Sequence, residues 1–216
     1  MTDTHLIQGV AATLPTANLD TDQIMPKQFL RGIDKAGLDQ GLLWDLRFQG
    51  DGSLRPDFVL NQPAYAQTRV LIAGPNFGCG SSREHAVWGL QQFGIQAVIA
   101  SSFGEIFYSN AMNNRLMVVV LPEDAVQALM NEASQSPEPL CVTIDVQQLT
   151  VSSPHSRTPF SVSARHQRMF LDGLDMIGAS LTYRAQIDAF AQRHWAAQPW
   201  VRDVARRTHE RLGMAI

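Results

Sequence analysis

Between Gly74 and Phe93 the chain reads GPNFGCGSSREHAVWGLQQF, with two adjacent hydroxyls, Ser81 and Ser82, directly before the guanidinium of Arg83. A hydroxyl beside a fixed cation can accept a proton or donate a hydrogen bond to an anion, and the guanidinium fork matches a carboxylate bidentately. Ala86, Val87, Leu90 and Phe93 recur at helical spacing, which predicts an amphipathic helix from Arg83 onwards with Ser81 at or next to its N-cap. Backbone N–H groups and the dipole at such an end favour a carboxylate or an oxyanion by about 0.3–1 kcal/mol per exposed charge. The same letters also spell a capping box, in which the Ser81 hydroxyl accepts from a helix amide and Glu84 reaches back, with no chemistry implied. Spacing alone leaves both readings open.

Three familiar glycine motifs fail on the letters. A phosphate loop needs Gly-Lys-Ser/Thr, whereas Gly80 is followed by Ser81. A dinucleotide fingerprint starting at Gly78 would need a third glycine where Arg83 stands, and a hydrolase elbow needs glycines flanking the serine at a spacing this stretch lacks. Gly74, Gly78 and Gly80 point instead to a turn in which a missing Cβ permits positive φ or close approach to a ligand.

The elements that must hold this turn follow from periodicity. Arg69–Ala73 is a short branched apolar run suited to a buried strand, and from there to Glu123 strands and helices alternate: 69–73, 83–93, 97–101, 103–114 and 116–121. Such alternation predicts parallel strands joined by crossover helices, with ligands at the carboxyl ends of the strands, where Ser81 lies. Residues 5–14, broken by Gly9, read as an edge strand entering a loop. In the acidic turn that follows, Asp20 and Asp22 either shape the loop through backbone bonds or form a carboxylate acid–base pair. Gly32, Gly37 and Gly41 suggest a mobile loop over about 26–41, and Leu42–Leu46 a short docking helix. Pro122 opens another amphipathic helix, and period-two patterning from 140 to 162 gives antiparallel strand candidates at 141–146, 149–151 and 160–162. Helices are expected over 165–178 and 183–197, and the arginine-rich end reads as a basic surface helix or a subunit contact. The fold class is α/β, a mixed-sheet β/β/α sandwich with C-terminal helices, divided into a main domain over 1–197 and a helical tail over 198–216.

Composition narrows the function. With 216 residues, 45% hydrophobic and 17% charged, the chain can bury a sizeable core, and its modest charge hints at a protein partner. A net charge of −3 offers no basic face for nucleic acid. Cys79 and Cys141 are too few for an iron–sulfur cluster or a disulfide scaffold, which fits a reducing cytoplasm, and Cys79 reads as a small loop-lining thiol. His5, His155 and His166 lack ligand-like spacing, so no metal is expected on this chain. No leader pattern opens the sequence, and the longest apolar run, Leu116–Leu121, falls far below the roughly 20 residues of a membrane span.

The run Gly74-x-x-Phe77-Gly78-Cys79-Gly80-Ser81-Ser82-Arg83-Glu84-His85-Ala86 closely resembles the swivelling domain of the aconitase superfamily, in particular the small-subunit family of bacterial 3-isopropylmalate dehydratases. Asn18-Leu19-Asp20-Thr21-Asp22-Gln23-Ile24, Arg55-Pro56-Asp57-Phe58-Val59-Leu60-Asn61, Ser101-Ser102-Phe103 and Gly173-Leu174-Asp175-x-Ile177-Gly178 continue the match in order, over about residues 5–195. The resemblance implies a hydro-lyase of leucine biosynthesis that moves a hydroxyl between adjacent carbons of 2-isopropylmalate by dehydration and rehydration. It implies Ser81 as the base, and Ser82, Arg83 and Arg31 as ligands of the dicarboxylate substrate, with Leu30 as a wall for its branched alkyl group. It also implies a 4Fe-4S cluster on a separate large subunit, with which this chain forms a heterodimer. Related hydro-lyases of the homoaconitate and methylmalate type share the scaffold, and a carboxylate-binding module without chemistry would use the same cap. Two departures stand out: Arg31-Gly32 where bacterial small subunits often have Lys-Arg, and Arg115 and Val118 where glycine and proline are usual, so that a different C-cap is expected.

Overall fold

The computed structural model describes residues 5–30 and 36–213. Its apolar runs pair into a seven-stranded mixed sheet among the described residues, made of β1 (Leu6–Leu14), β2 (Thr68–Ala73), β3 (Ala97–Ala100), β4 (Met117–Val120), β5 (Cys141–Asp145), β6 (Thr150–Ser152) and β7 (Arg157–Pro159). The strand order is β4-β3-β2-β1-β5-β6-β7. β1 to β4 pair in parallel, whereas β5, β6 and β7 join antiparallel on the other side of β1. The middle of the parallel half is enclosed: Val70 to Ala73 and Ala97 to Ala100 are each 0% exposed, as strands covered on both faces require.

The helices of this unit are α1 (Thr21–Ile24), α2 (Trp44–Arg47), α3 (His85–Phe93), α4 (Glu105–Asn113), α5 (Glu123–Gln135) and α6 (Ala164–Leu171). The chain divides into two compact units, Met1–Asp175 and Met176–Ile216. The second contains α7 (Met176–Leu181), α8 (Arg184–Ala197) and α9 (Val204–Leu212), with Ile177, Phe190 and Trp200 exposed. No helix among the described residues is long and apolar enough to cross a membrane.

Several local expectations change. β1 is a central strand, pairing with β5 from Leu6 to Val10 and with β2 from Val10 to Leu14, not an edge. Gly9 interrupts its apolar pattern because a Cβ there would lie 2.8 Å from the Arg69 side chain, which crosses it. The last strand is Arg157–Pro159, not 160–162, since Phe160 turns into the core and donates its N–H to Leu149 O (2.9 Å). The helix expected over 165–178 stops at Leu171, where Gly173 takes φ 67. After the Asn114 cap of α4, Arg115 adopts φ 63, the left-handed conformation that favours glycine.

Two consequences are measurable. Gly78 has φ 73, and a Cβ there would sit 2.3 Å from the Phe107 ring, whose edge meets Phe77 with centroids 5.3 Å apart. Gly78→Ala combines backbone strain with overpacking, so it should destabilise the chain by about 2–4 kcal/mol, read as a lower urea midpoint. In α6, burial and the neighbouring Arg165 cation hold the His166 pKa below its ordinary value, and its Nδ1 is buried with no hydrogen-bond partner. Folding therefore favours the neutral ring, so stability present above about pH 6.5 is lost as the pH falls towards the folded-state value. The drop in melting temperature between pH 7 and 5 should be smaller in His166→Gln, and an unchanged drop would refute this role.

Candidate active site

Parallel strands end on one side of the sheet, so the loops after β1, β2 and β3 converge there, and backbone hydrogen bonds lace them together. Gly74 N–H donates to Leu14 O (2.9 Å), Asn18 to Pro75 O (2.9 Å), Gly78 to Leu19 O (2.8 Å) and Thr21 to Cys79 O (2.8 Å). On the other flank Phe77 N–H donates to Ser102 O (3.2 Å) and Gly104 N–H to Phe77 O (2.9 Å). Gly74 is required by this closeness, because a Cβ there would lie 2.6 Å from the carbonyl oxygens of Pro15 and Thr16.

The capping box that the letters offered to α3 is formed elsewhere. Asp20 Oδ1 accepts from Gln23 N (2.7 Å) while Gln23 Oε1 accepts from Asp20 N (3.0 Å), closing the N-terminus of α1. α3 starts only at His85, with Glu84 as N-cap and no side-chain cap. Ser81 is therefore not its cap. Its Oγ accepts instead from Arg83 Nε (2.6 Å) and Arg83 N (3.3 Å), while the Glu84 carboxylate accepts from Asn114 Nδ2 (3.2 Å). Asparagines near the end of α4 hold the segment in place: Asn110 Nδ2 donates to Ser82 O (3.0 Å), and Asn114 Oδ1 accepts from Trp88 Nε1 (3.0 Å).

The charges come from two strand ends. Arg83 pairs through its second guanidinium nitrogen with Asp22, whose other carboxylate oxygen lies 3.6 Å from Lys27 Nζ. The Arg83 and Asp22 side chains are 27% and 45% exposed, so the pair is partly solvated and worth about 0–1 kcal/mol. An incoming carboxylate can compete for the guanidinium at that strength. Ser81 is half-buried, Gly80 and Ser82 are exposed, and the turn opens to solvent. The arrangement sets a hydroxyl oxygen against a fixed cation, which stabilises negative charge on that oxygen.

The other expected residues lie apart from this trio in sequence. Leu30 ends the short turn after Lys27, donates its N–H to Lys27 O (3.1 Å) and packs partly buried against the core. Arg31 lies outside the described residues. Cys79 lines the loop, with Sγ 3.5 Å from Asn18 O, and Cys141 is exposed on β5. No group of three His, Cys, Asp or Glu side chains among the described residues could hold a metal ion, so the donor set does not fit an iron–sulfur cluster. Sequence reasoning missed the Asp22–Arg83 pair and the bond from Asn110 to the Ser82 carbonyl. The one legible signal was the Asp20-x-x-Gln23 spacing of a capping box, which would have fixed α1 beside the turn.

Residues 1–124 match the aconitase C-terminal domain family. The chain is 64% identical over 206 residues to 3-isopropylmalate dehydratase small subunit 1 of Chromobacterium violaceum, covering 95% of this chain and 97% of that protein. It is 48% identical over 196 residues to the 3-isopropylmalate dehydratase small subunit of Phenylobacterium zucineum, covering 90% of this chain and 96% of the relative. Among solved structures, the 3-isopropylmalate dehydratase of Methanocaldococcus jannaschii superposes with a TM-score of 0.61 at 27% identity, covering 85% of this chain and 98% of that one. On identity and coverage together with the shared fold, this chain belongs to the family of 3-isopropylmalate dehydratase small subunits, within the aconitase superfamily.

Proposed function

We propose that the chain is the small subunit of a cytoplasmic 3-isopropylmalate dehydratase and supplies the proton-accepting and carboxylate-binding half of a site completed by a large subunit. The observation that carries this reading is the contact of Ser81 Oγ with Arg83 Nε at 2.6 Å, on a solvent-open turn at the carboxyl ends of parallel strands.

The proton to be removed from 2-isopropylmalate lies next to a carboxylate and is weakly acidic, so the reaction needs a base and a field that stabilises enolate-like charge. Ser81 acts as that base in its alkoxide form. Arg83, donating to the same oxygen, favours that form and turns its second nitrogen from Asp22 to a substrate carboxylate. Ser82 donates its hydroxyl to a carboxylate, and Arg31 binds the other. Leu30 faces the isopropyl group. Loss of the hydroxyl as water calls for an electrophile, chemistry that a 4Fe-4S cluster held by the large subunit would supply. Returning the proton and water in the opposite regiochemistry completes the isomerisation.

Mixed anaerobically with its cognate large subunit, the chain should restore dehydratase turnover. In that complex Ser81→Ala should lower kcat by at least about a hundredfold, and near-normal turnover would remove Ser81 from the mechanism. Leu30→Ala should lower kcat/KM for 2-isopropylmalate by roughly tenfold relative to a hydroxy diacid with a methyl in place of the isopropyl group. Equal losses on both substrates would show that Leu30 does not line the alkyl pocket.

A further inference from the structure

Thr21 and Thr68 are the buried polar side chains among the described residues, at 3% exposure each. A hydroxyl taken out of water needs a partner, and Thr68 satisfies this locally by donating to Tyr65 O (2.7 Å). Thr21 does something different. Its Oγ1 accepts from the Ser81 backbone N–H at 3.0 Å, across 60 residues of sequence. Its own N–H donates to Cys79 O at 2.8 Å. The two bonds straddle Gly80, whose φ of 99 is open to glycine and strained for other residues. One residue thus pins the peptide planes on both sides of the freest link in the turn.

Thr21 is itself immobilised. Its carbonyl accepts from Met25 N (3.0 Å), and the Asp20–Gln23 capping box fixes the start of its helix. Released from this clamp, Gly80 would sample other φ, ψ pairs, and each would swing the Ser81 hydroxyl away from Arg83 Nε. Displacements of about 1 Å at a reacting group can cost on the order of a hundredfold in rate.

We propose that Thr21 is a positioning residue that sets the backbone of Ser81 by clamping both peptides of Gly80. The inference rests on Ser81 as the proton acceptor. In the reconstituted two-subunit enzyme, Thr21→Val keeps the shape but cannot accept the Ser81 N–H, so kcat should fall by about tenfold or more while KM stays within about twofold. Thr21→Ser keeps the acceptor and should recover kcat to within about threefold of the parent. In a Ser81→Ala background, Thr21→Val should change the residual rate by less than about twofold, because it acts only through the missing hydroxyl. Where Thr21→Val fails to assemble, amide hydrogen exchange of the unaltered chain decides: the Ser81 N–H should exchange slowly despite its place in an open turn.

Parental kcat in Thr21→Val, failure of Thr21→Ser to recover it, an undiminished loss in the Ser81→Ala background, or free-loop exchange at Ser81 would each overturn the clamp. An inactive Ser81→Ala with a fully active Thr21→Val sinks this inference alone. A fully active Ser81→Ala sinks the base assignment, and the clamp's catalytic role with it.

Discussion

The loop after β1 and the glycine turn after β2 run side by side and exchange backbone hydrogen bonds, from Asn18 and Pro75 through Leu19 and Gly78 to Thr21 and Cys79. This strip extends the parallel pairing of β1 with β2 beyond the ends of the strands, and Asp20 and Cys79 even form a ladder bridge. Neither loop could keep its path alone. Each leaves polar backbone groups that the other satisfies, and burying such groups without partners would cost more than the loops could recover elsewhere. Gly74 is a consequence of the same closeness, by sheer proximity to Pro15 and Thr16, whereas Gly78 answers to its left-handed φ and to Phe107 of α4.

That strip also brings the charges together. Asp22 directly follows Thr21, and Arg83 lies two residues beyond Ser81, so the bond between Thr21 and Ser81 brings both members of the ion pair within reach. The pair is strong enough to orient the guanidinium against the Ser81 oxygen and, being partly solvated, weak enough to yield to a competing carboxylate. From the opposite flank, Asn110 and Asn114 hold Ser82 and Glu84, so that Ser81 to Arg83 stay outside the helix, which is entered through Glu84 and begins at His85. A side-chain cap on α3 would have drawn the Ser81 hydroxyl into the helix. Asn114 prevents this by occupying Glu84, and Arg83 by occupying Ser81.

The position of β1 explains why this works in one sheet. Its first half is antiparallel to β5 and its second half parallel to β2, so it joins a hairpin-like half of the sheet to a crossover half. The antiparallel half contributes core and width, with Val142, Ile144 and Val151 buried. The parallel half leaves strand ends and helix starts on one side, where a turn can hold exposed polar groups on a rigid base.

Runs of branched residues, the alternation from 69 to 121 and the helical face of Ala86, Val87 and Leu90 sufficed to read the parallel strands and their helices, because those patterns are local consequences of burial. The types and order of Ser81, Ser82 and Arg83 likewise marked this turn as a candidate anion-binding site, while leaving a plain helix cap as the alternative. Local letters misplaced what depends on partners far along the chain. Gly9 looked like a break until Arg69 was seen to cross it, and Ser81 looked like a helix cap until Arg83 and Thr21 claimed its hydroxyl and its amide. Capping and anion-binding geometries share one alphabet of serine, glutamate and glycine, and what separates them is which distant groups compete for the same hydrogen bonds. Those competitors, 60 residues away at Thr21 and 30 at Asn114, are brought within reach only when the sheet forms.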